Sequence, residues 1–417
     1  MTRLSPSNGG LSRRSLLTAA GAAGLTISFM GSNADAAADL RGRKMVVIVC
    51  RGGMDGLSVS PPVGDPDYAG LRKAIAIPGD AALKLDGTFG LHPALESIHA
   101  MAGKGQARIA PAMASPDRAR SHFEAQDVLE TGAAGVYSTD SGWLNRAVQA
   151  LRPDGKVQAL SVGATAPLIL RGKAQAASWS PGAAGEGSPR LPALLTDLYA
   201  DDPLLAPAFA QGLRTEAMAE TATMTASAST SPPAMSGGGV QAFVRQGQNA
   251  ARGIGRTVAG FMIQPSGPQI VALSAEGFDT HANQGAAQGQ LATRLAYLDA
   301  LVDGLREGLG DSWSETVVVC ATEFGRTARV NGTGGTDHGT GSTALLMGGA
   351  LKSGGIVGDW PTLKANALYE GRDTAPTVDS RALFKGLLRD HMGVDRKALD
   401  TLVFPDSVGV APITGLT

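Results

Sequence analysis

Short, uninterrupted apolar runs recur along this chain and predict buried β-strands. The clearest are residues 44–50, residues 269–273 and the β-branched run from Val317 up to Glu323. A run that is apolar at every position is typical of a parallel strand covered on both faces. Shorter runs predict further strands at 108–111, 160–162, 167–170 and 344–349.

Between these runs, apolar residues recur every three to four positions and predict helices. The pattern is clearest at 290–309, where leucines follow one helical face. Further helices are predicted at 91–101, 123–131, 143–151 and 240–264, followed by a mainly helical tail from Thr377. Strands that alternate with such helices predict an α/β fold with a mostly parallel central sheet and helices on both faces.

Composition narrows the class of protein and its partners. The chain has 417 residues, of which 43% are hydrophobic and 18% charged, and its net charge is −1. This charge gives no electrostatic basis for binding nucleic acid or an anionic membrane. Aromatic residues are scarce at 5%, whereas glycine is abundant at 56 residues, which favours a loop-rich α/β protein over an aromatic-lined carbohydrate binder.

One α/β domain is predicted over residues 37–417. It is interrupted by an irregular insertion at 172–189 and by a low-complexity loop at 215–240. The first half of that loop is rich in alanine, threonine and methionine and has some helical character.

The first 36 residues have the pattern of an export signal. A twin-arginine pair at 13–14 precedes a moderately apolar run over 16–30, and Ala34-Asp35-Ala36 is a small-residue cleavage pattern. These features predict export by the twin-arginine route to the periplasm or the medium, with a mature chain that begins near Ala37. The alternative is a membrane anchor, but the run is shorter than the about 20 residues that span a bilayer. We therefore expect no stable membrane span in the mature chain.

Two cysteines, Cys50 and Cys320, each close a predicted strand. No CxxC spacing occurs, which argues against zinc ribbons and thiol redox chemistry. Two interpretations stay open: a pair of small buried core residues, or a disulfide favoured by an oxidising compartment.

Acidic side chains follow three of the predicted strands. Asp55 follows the first strand, Asp279 the strand at 269–273, and Glu323 the strand that begins at Val317. Because open α/β sheets bind ligands outside the carboxyl ends of their strands, we expect these groups to converge there. His281 lies two residues after Asp279, so both side chains can face one metal ion from an extended segment. A plain β-turn is the alternative explanation for the glycine-rich segment that carries Asp55.

Two further segments carry histidine. A glycine-rich loop over 331–341 presents Asp337 and His338 ahead of a strand. Ser121 and His122 stand at the predicted start of a helix, where backbone N–H groups attract anions. Ser121 is interpreted either as a helix cap, with Glu124 three residues later completing a capping box, or as a nucleophile.

Together the motifs RGGMDG, SHFEAQDVLETG, GFDTH, TEFGRT and NGTGGTDHGTG resemble the exported bacterial proteins of the domain-of-unknown-function family numbered 1501. The resemblance covers essentially all of the chain after residue 44. That family is similar to the alkaline phosphatase and sulfatase superfamily, whose members hold one or two metal ions at the C-terminal edge of a mostly parallel sheet. The resemblance therefore implies an alkaline phosphatase-like fold.

The resemblance also implies roles for individual residues. It places Ser121 or His122 where the superfamily nucleophile stands. It implies metal ligands at Asp55, Asp279, His281, Glu323 and His338. Asp337 is a further candidate ligand, or a partner that orients its neighbours.

Carboxylates and imidazoles without thiolates suit a divalent metal ion, with Zn²⁺ expected first and Mn²⁺ or Mg²⁺ as alternatives. We therefore predict an exported metal-dependent hydrolase of phosphate or sulfate esters that acts on a small anionic ester. Arg51 and Arg326 are expected to hold the anion, with a surface or ion-pair role as the alternative for Arg326. The alternative function is an exported metal- or ligand-binding protein without catalysis. The sequence identifies no protein partner.

Overall fold

The structure is a computed structural model that describes residues 42–151, 159–162, 167–180, 195–196, 198–199, 202, 205–228 and 240–417. The predicted signal peptide at 1–36 lies outside the described residues. So do residues 181–189 of the predicted insertion and residues 229–239 of the predicted loop.

Eight strands form one sheet, and two more form a small hairpin, within the described ranges. The strands are β1 (Lys44–Cys50), β2 (Leu83–Lys84), β3 (Gly90–Leu91), β4 (Ala107–Ala114), β5 (Ala159–Val162), β6 (Ala176–Trp179), β7 (Ile270–Ala275), β8 (Thr316–Ala321), β9 (Ser342–Met347) and β10 (Val378–Asp379). The order in the sheet is β10-β4-β9-β8-β1-β7-β5-β6. Only β9 pairs antiparallel to its described neighbours, β4 and β8. The mostly parallel sheet confirms the predicted fold class.

Helices cover both faces of this sheet. They are α1 (Gly56–Val59), α2 (Tyr68–Arg72), α3 (Glu96–Ala102), α4 (His122–Thr131), α5 (Trp143–Leu151), α6 (Leu205–Ala228), α7 (Val240–Met262), α8 (Gln290–Leu309), α9 (Ser380–Asp390) and α10 (Arg396–Ala398). None of the described helices is both long enough and apolar enough to cross a bilayer.

The core is divided into two layers because successive residues of a strand point to opposite faces. In β1, Val46 and Ile48 pack with the leucines of α8, whereas Val47 and Val49 pack with Trp143 on the opposite face. Burying one such aliphatic side chain stabilises the fold by about 1.5–3 kcal/mol. Uninterrupted apolar runs are therefore required in the strands that are covered on both sides.

Two local predictions differ from the structure. Residues 167–170, predicted as a strand, contain the 3₁₀ turn Leu168–Leu170, whose Ile169 N–H donates to Glu130. Within the predicted insertion, β6 pairs in parallel with β5. The low-complexity segment at 215–240, whose first half was given some helical character, is helical up to Ala228 because its alanines favour helix and α6 packs against α7.

Both cysteines are buried and free, as expected for core residues, and no disulfide joins them. The predicted helix at 123–131 begins at His122 and ends at Gly132 in the left-handed conformation. Ser121 occupies the N-cap position, but its side chain makes no capping hydrogen bond, so the predicted capping box is not formed.

The topology brings five chain segments to one edge of the sheet. β1, β4, β7 and β8 run in the same direction and end there, and antiparallel β9 begins there. The candidate residues follow β1, β7 and β8 directly, or lie in the loops between β4 and α4 and ahead of β9. This is the edge at which α/β sheets bind ligands.

Candidate metal centre

His122, Asp279 and His338 form a compact cluster at this edge. Their ligand atoms all lie within 4.8 Å of one another. His122 Nε2 is 3.5 Å from Asp279 Oδ2, and His338 Nε2 is 3.3 Å from Asp279 Oδ1. The three residues belong to separate segments: the start of α4, the chain after β7 and the loop before β9.

A buried carboxylate fixes the orientation of His122. Its Nδ1 lies 2.8 Å from Glu323 Oε1, and because an ionised carboxylate only accepts, Nδ1 carries the proton. This hydrogen bond raises the pKa of His122. In the neutral ring, Nε2 then presents a lone pair, and this buried nitrogen has no hydrogen-bond partner. Leaving a buried polar atom unpaired is costly, so a bound group is expected at this position.

A backbone carbonyl fixes the second imidazole. Nδ1 of His338 donates to the Arg120 carbonyl at 2.9 Å, which leaves its Nε2 as an acceptor. Arg120 has a left-handed backbone with φ of 57°, and its side chain is held by Asp373 at 2.8 Å. Burial, together with the charges of His122 and Arg326, lowers the pKa of His338. The neutral form, which is the form that binds metal ions, is therefore favoured.

Arg326 anchors Asp279 from behind. The Arg326 side chain is completely buried and donates to Asp279 Oδ1 at 2.7 Å and to the Thr336 carbonyl at 2.5 Å. Burial raises the pKa of Asp279, but the hydrogen bond and charge of Arg326 outweigh this effect, so the pKa lies below its usual value. Asp279 stays ionised, and 43% of its side chain is exposed to solvent.

Glu323 is completely buried and is saturated by protein donors. Its Oε1 accepts from the Gly52 N–H at 2.8 Å, from Gln126 Nε2 at 3.2 Å and from His122, and its Oε2 accepts from the Thr322 hydroxyl at 2.9 Å. Burial raises the pKa of Glu323, but these hydrogen bonds outweigh it, and the pKa is lowered. Glu323, predicted as a ligand, contacts His122 in this structure and so can orient its ring.

His281 and Asp337 stand at the open side of the cluster. His281 Nε2 is 3.0 Å from both Asp279 Oδ1 and His338 Nε2. On the far side of the ring, Nδ1 is 3.4 Å from Asp337 Oδ1, which also accepts from Asn331. Asp337 therefore lies behind His281, whereas His281 itself is placed as a fourth side chain around the cluster.

Asp55 and Arg51 are engaged elsewhere. The completely buried Asp55 carboxylate pairs with Arg72 and also accepts from Ser58 at 2.8 Å and from Gln284 at 2.6 Å. All three donors bind Oδ2, whereas the buried Oδ1 has no hydrogen-bond partner, and Asp55 is not part of the histidine cluster. Arg51 pairs with Glu130 and donates to Gln126 at 2.6 Å.

Close packing around the Phe324 ring supports the histidine cluster. Phe324 packs against the rings of both His122 and His338, with ring centroids 4.8 Å apart in each case. Gly53 has φ of +65°, and a Cβ atom at this position would lie 2.5 Å from the Phe324 ring. Gly53 is therefore required both by its backbone conformation and by the space that Phe324 occupies.

Several residues of this centre were not predicted: Arg120, Gln126, Phe324 and Asp373. Gln126 lies four residues after His122 and hence on the same helical face, so the spacing alone indicates it. Arg120 and Asp373 are 253 residues apart in the chain, and no local pattern connects them.

The donor set fits a divalent metal ion. Two ligands at about 2.0–2.1 Å from a tetrahedral ion lie about 3.4 Å apart. His338 lies 3.3 Å from Asp279 Oδ1 and His122 lies 3.5 Å from Asp279 Oδ2, and the three ligand atoms, one from each residue, lie within 4.8 Å of one another. Two imidazoles and one carboxylate are a usual set for catalytic zinc. The same set also suits Fe²⁺, because imidazole and carboxylate do not by themselves select one metal.

A comparison with solved structures finds matches of low similarity. A protein of the alkaline phosphatase superfamily from Vibrio parahaemolyticus is 11% identical, with 84% of this chain and 72% of that chain covered and a TM-score of 0.36. The lipoteichoic acid synthase LtaP from Listeria monocytogenes is 8% identical, with 95% and 81% covered and a TM-score of 0.42. Alkaline phosphatase from the Antarctic bacterium TAB5 is 10% identical, with 75% and 94% covered and a TM-score of 0.33. Similarity at this level says nothing about activity.

A comparison with curated proteins finds no match. A family model described as "Protein of unknown function (DUF1501)" matches residues 42–403 and so spans the whole sheet and every residue of the candidate centre. The chain therefore belongs to the DUF1501 family.

Proposed function

We propose that this protein is a metal-dependent hydrolase of phosphate or sulfate esters. The observation that carries the proposal is the convergence of two fixed imidazole lone pairs on one ionised carboxylate, with one of the two nitrogens buried and unpartnered. His122, Asp279 and His338 would hold the ion, and the exposed His281 beside them would not be a ligand.

A divalent ion at this position supplies Lewis-acid activation and screens the negative charge of an anionic ester. The protein's own residues supply orientation. Glu323 fixes His122, the Arg120 carbonyl fixes His338, and Arg326 keeps Asp279 ionised. Preorganised groups of this kind need no rearrangement during the reaction, which is the main source of electrostatic catalysis.

His281 is suited to move a proton. Its side chain is 46% exposed, its Nε2 faces the cluster, and its Nδ1 faces Asp337. A carboxylate behind a histidine holds the ring in one orientation. We assign His281 as the acid that protonates the leaving oxygen of the ester, with Asp337 as its orienting partner.

Ser121 remains the proposed nucleophile. It directly precedes the ligand His122, and its side chain makes no capping hydrogen bond that would occupy the hydroxyl. The N-terminal end of α4 also favours an anion there. Arg326 donates inward to Asp279 and Thr336, so we assign it to positioning Asp279 and not to binding the substrate anion.

The test combines metal analysis with assays of the purified mature protein. Metal content is measured by mass spectrometry, including iron, and turnover is measured on aryl phosphates, aryl sulfates and aryl phosphodiesters. We expect one tightly bound ion and turnover of at least one ester class. Asp279→Ala and His338→Ala are expected to lose both, whereas the control His99→Ala, whose ring contacts the Lys84 carbonyl, retains them. Unchanged metal content in both site variants contradicts the proposal.

One observation favours a second function, a metal- or ligand-binding protein without catalysis. Two of the predicted carboxylate ligands lie outside the cluster, since Glu323 is saturated by protein donors and Asp55 is buried with Arg72, so the described residues offer a single ligand cluster. Bound metal without turnover of any ester, and with Ser121→Ala unchanged in every assay, would support this second function.

We also propose that the chain is exported by the twin-arginine route to the periplasm or the medium. The arginine pair at 13–14 and the cleavage pattern at 34–36 support this location. Replacing both arginines with lysine is expected to retain the precursor in the cytoplasm, as measured by cell fractionation.

A further inference from the structure

A large cleft opens beside the first turns of α4. Its volume is 1060 Å³, which is enough for a small organic molecule, and it lies between α4, the loop after α4 and the chain after β7. The cleft adjoins the metal centre through Gln126, which lines it and also donates to Glu323. Phe123, which follows the ligand His122 directly, forms part of its wall.

Exposed aromatic rings mark this cleft. Phe123 is 81% exposed and Tyr137 is 68% exposed, and they are the only aromatic side chains among the large exposed apolar residues of the described chain. Both line the same cleft. In a protein with only 5% aromatic residues, leaving two rings in water beside a candidate active site indicates a binding surface.

Negative charge accompanies these rings. Four carboxylates and two guanidinium groups line the cleft: Asp127, Glu130, Asp140, Glu276, Arg51 and Arg171. Arg51 is already paired with Glu130 and lies 3.6 Å from Glu276. Asp127 and Glu130 are buried and accept from the Tyr137 N–H and from Arg51 and the Ile169 N–H, so the carboxylates open to a ligand are those of Asp140 and Glu276. The cleft keeps a net excess of carboxylates next to a metal centre that is proposed to act on anions.

We infer that this cleft binds the organic ammonium group of a zwitterionic ester, with the ammonium against Phe123 and Tyr137 and the ester at the metal centre. The position of the ester at the metal centre rests on the proposed function, whereas binding of the ammonium group in the cleft does not. Aromatic faces attract cations through their quadrupoles, and carboxylates add Coulombic attraction. A second anionic group of the substrate would be repelled from this cleft, so the substrate class is an ester of an amino alcohol.

A neutral polyol such as a sugar ring also stacks on aromatic side chains, but the excess of carboxylates favours a cation. The two ligand classes differ in their response to salt. Attraction to a cation weakens as ionic strength rises, because mobile ions screen the carboxylates. Stacking of a neutral ring has no such dependence.

The binding test uses isothermal titration of the mature protein with choline and with 3,3-dimethyl-1-butanol, its uncharged isostere. We expect choline to bind at least about tenfold more tightly than the isostere, since the cation contributes about as much as one desolvated cation–π contact. Its affinity should fall as sodium chloride is raised from low to physiological concentration. Glucose is titrated as the neutral polyol. Glucose binding as tight as choline binding, or a choline affinity independent of salt, overturns the inference.

Variants locate the site. Phe123→Ala and Tyr137→Ala are each expected to weaken choline binding severalfold, and Glu276→Gln to weaken it while reducing its salt dependence. These side chains are largely exposed, so their replacement leaves the fold intact. Val408→Ala, an equally exposed apolar residue away from the cleft, and Asp311→Asn are the matched controls. Loss of binding in the controls, or no loss in Phe123→Ala and Tyr137→Ala, contradicts the assignment.

A kinetic test separates this inference from the proposed function. The 4-nitrophenyl phosphodiesters of choline and of 3,3-dimethyl-1-butanol differ only in the ammonium charge. We expect a KM about tenfold lower for the choline ester, with Phe123→Ala removing the difference. Choline binding without turnover of either ester would support ammonium binding in the cleft and contradict the proposed hydrolase activity. Equal KM values for the two esters with normal turnover would contradict ammonium binding in the cleft alone.

Discussion

Asp55 and Asp279 follow the neighbouring parallel strands β1 and β7, and each carboxylate is paired with a fully buried arginine. The Asp55 pair is closed to solvent: both side chains are buried, and Ser58 and Gln284 add further donors to Oδ2, while the buried Oδ1 has no partner. The Asp279 pair is open, because Arg326 covers one side of the carboxylate and leaves it facing three histidines and solvent. An acidic residue at the end of a strand is therefore available to a ligand only where its arginine partner covers one side of the carboxylate and leaves the other side open.

The largest expected effect comes from breaking the closed pair. Arg72→Met leaves the Asp55 charge buried and uncompensated, so we expect the free energy of unfolding to fall by about 3–5 kcal/mol. Chemical denaturation of the metal-free protein measures this change. Asp55→Leu in the same chain should recover part of the loss, because no charge then remains to be paired. If the free energy of unfolding of Arg72→Met equalled that of the wild type, the ion pair between Arg72 and Asp55 would not contribute to stability.

The second-largest expected effect is a difference in zinc affinity between variants of the two carboxylates, Asp279 and Asp55. Asp279→Asn keeps an acceptor for Arg326 but removes the anionic ligand, and we expect zinc affinity to fall by more than about 100-fold, beyond the usual effect of outer residues. Competition with a chromophoric chelator measures the affinity. Asp55→Asn, the matched change in the closed pair, should leave the zinc affinity of the folded protein within about twofold. Equal losses in both variants would place Asp55 in the metal centre after all.

A smaller effect is expected from Glu323, which contacts His122 and not the ion. Glu323→Gln keeps the shape but weakens the hydrogen bond to Nδ1, so zinc affinity should fall by about 10–100-fold. The same titration measures it, with Glu96→Gln as a control on α3. If Glu323→Gln lost metal as completely as Asp279→Asn, Glu323 would be a direct ligand, as the sequence suggested.

The smallest effect concerns pH and His92, a buried histidine beside the closed pair. Its Nε2 donates to the Ala286 carbonyl at 2.9 Å and its Nδ1 accepts from the Ala94 N–H at 3.0 Å, so the ring is neutral. Burial lowers its pKa, against an opposing effect of the Asp55 charge. In the unfolded chain the pKa of a histidine is about 6.5. As the pH falls below this pKa, only the unfolded state binds the extra proton, and the free energy of unfolding decreases by at most about 1.4 kcal/mol per pH unit.

His92→Gln retains a donor for Ala286 and removes the titration. We expect the free energy of unfolding of this variant to decline less steeply than that of the wild type between pH 7 and 5.5. Denaturation curves of the metal-free proteins at several pH values provide the comparison. An identical pH dependence in the two proteins would mean that His92 has the same pKa in the folded and unfolded states.

Periodicity and strand ends determined a large part of this fold. The runs at 44–50 and 269–273 and the helix at 290–309 are present at nearly the predicted bounds, since burial on both faces requires unbroken apolar sequence. Short segments were less predictable. Residues 167–170 are as apolar as a strand, but their place above α4 and α5 makes them a 3₁₀ turn.

The sequence by itself determined which chemical groups reach the functional edge, because a parallel strand delivers whatever follows it to that edge. In this way it indicated Asp55, Asp279 and Glu323, whereas His122 was indicated by its place at a helix start, His281 by its spacing from Asp279, and His338 by its glycine-rich loop. Only the tertiary structure decided which of these groups stay open to a ligand. That choice depends on partners distant in sequence, such as Arg72 for Asp55 and the Gly52 N–H for Glu323, and no local pattern records a hydrogen bond between remote segments.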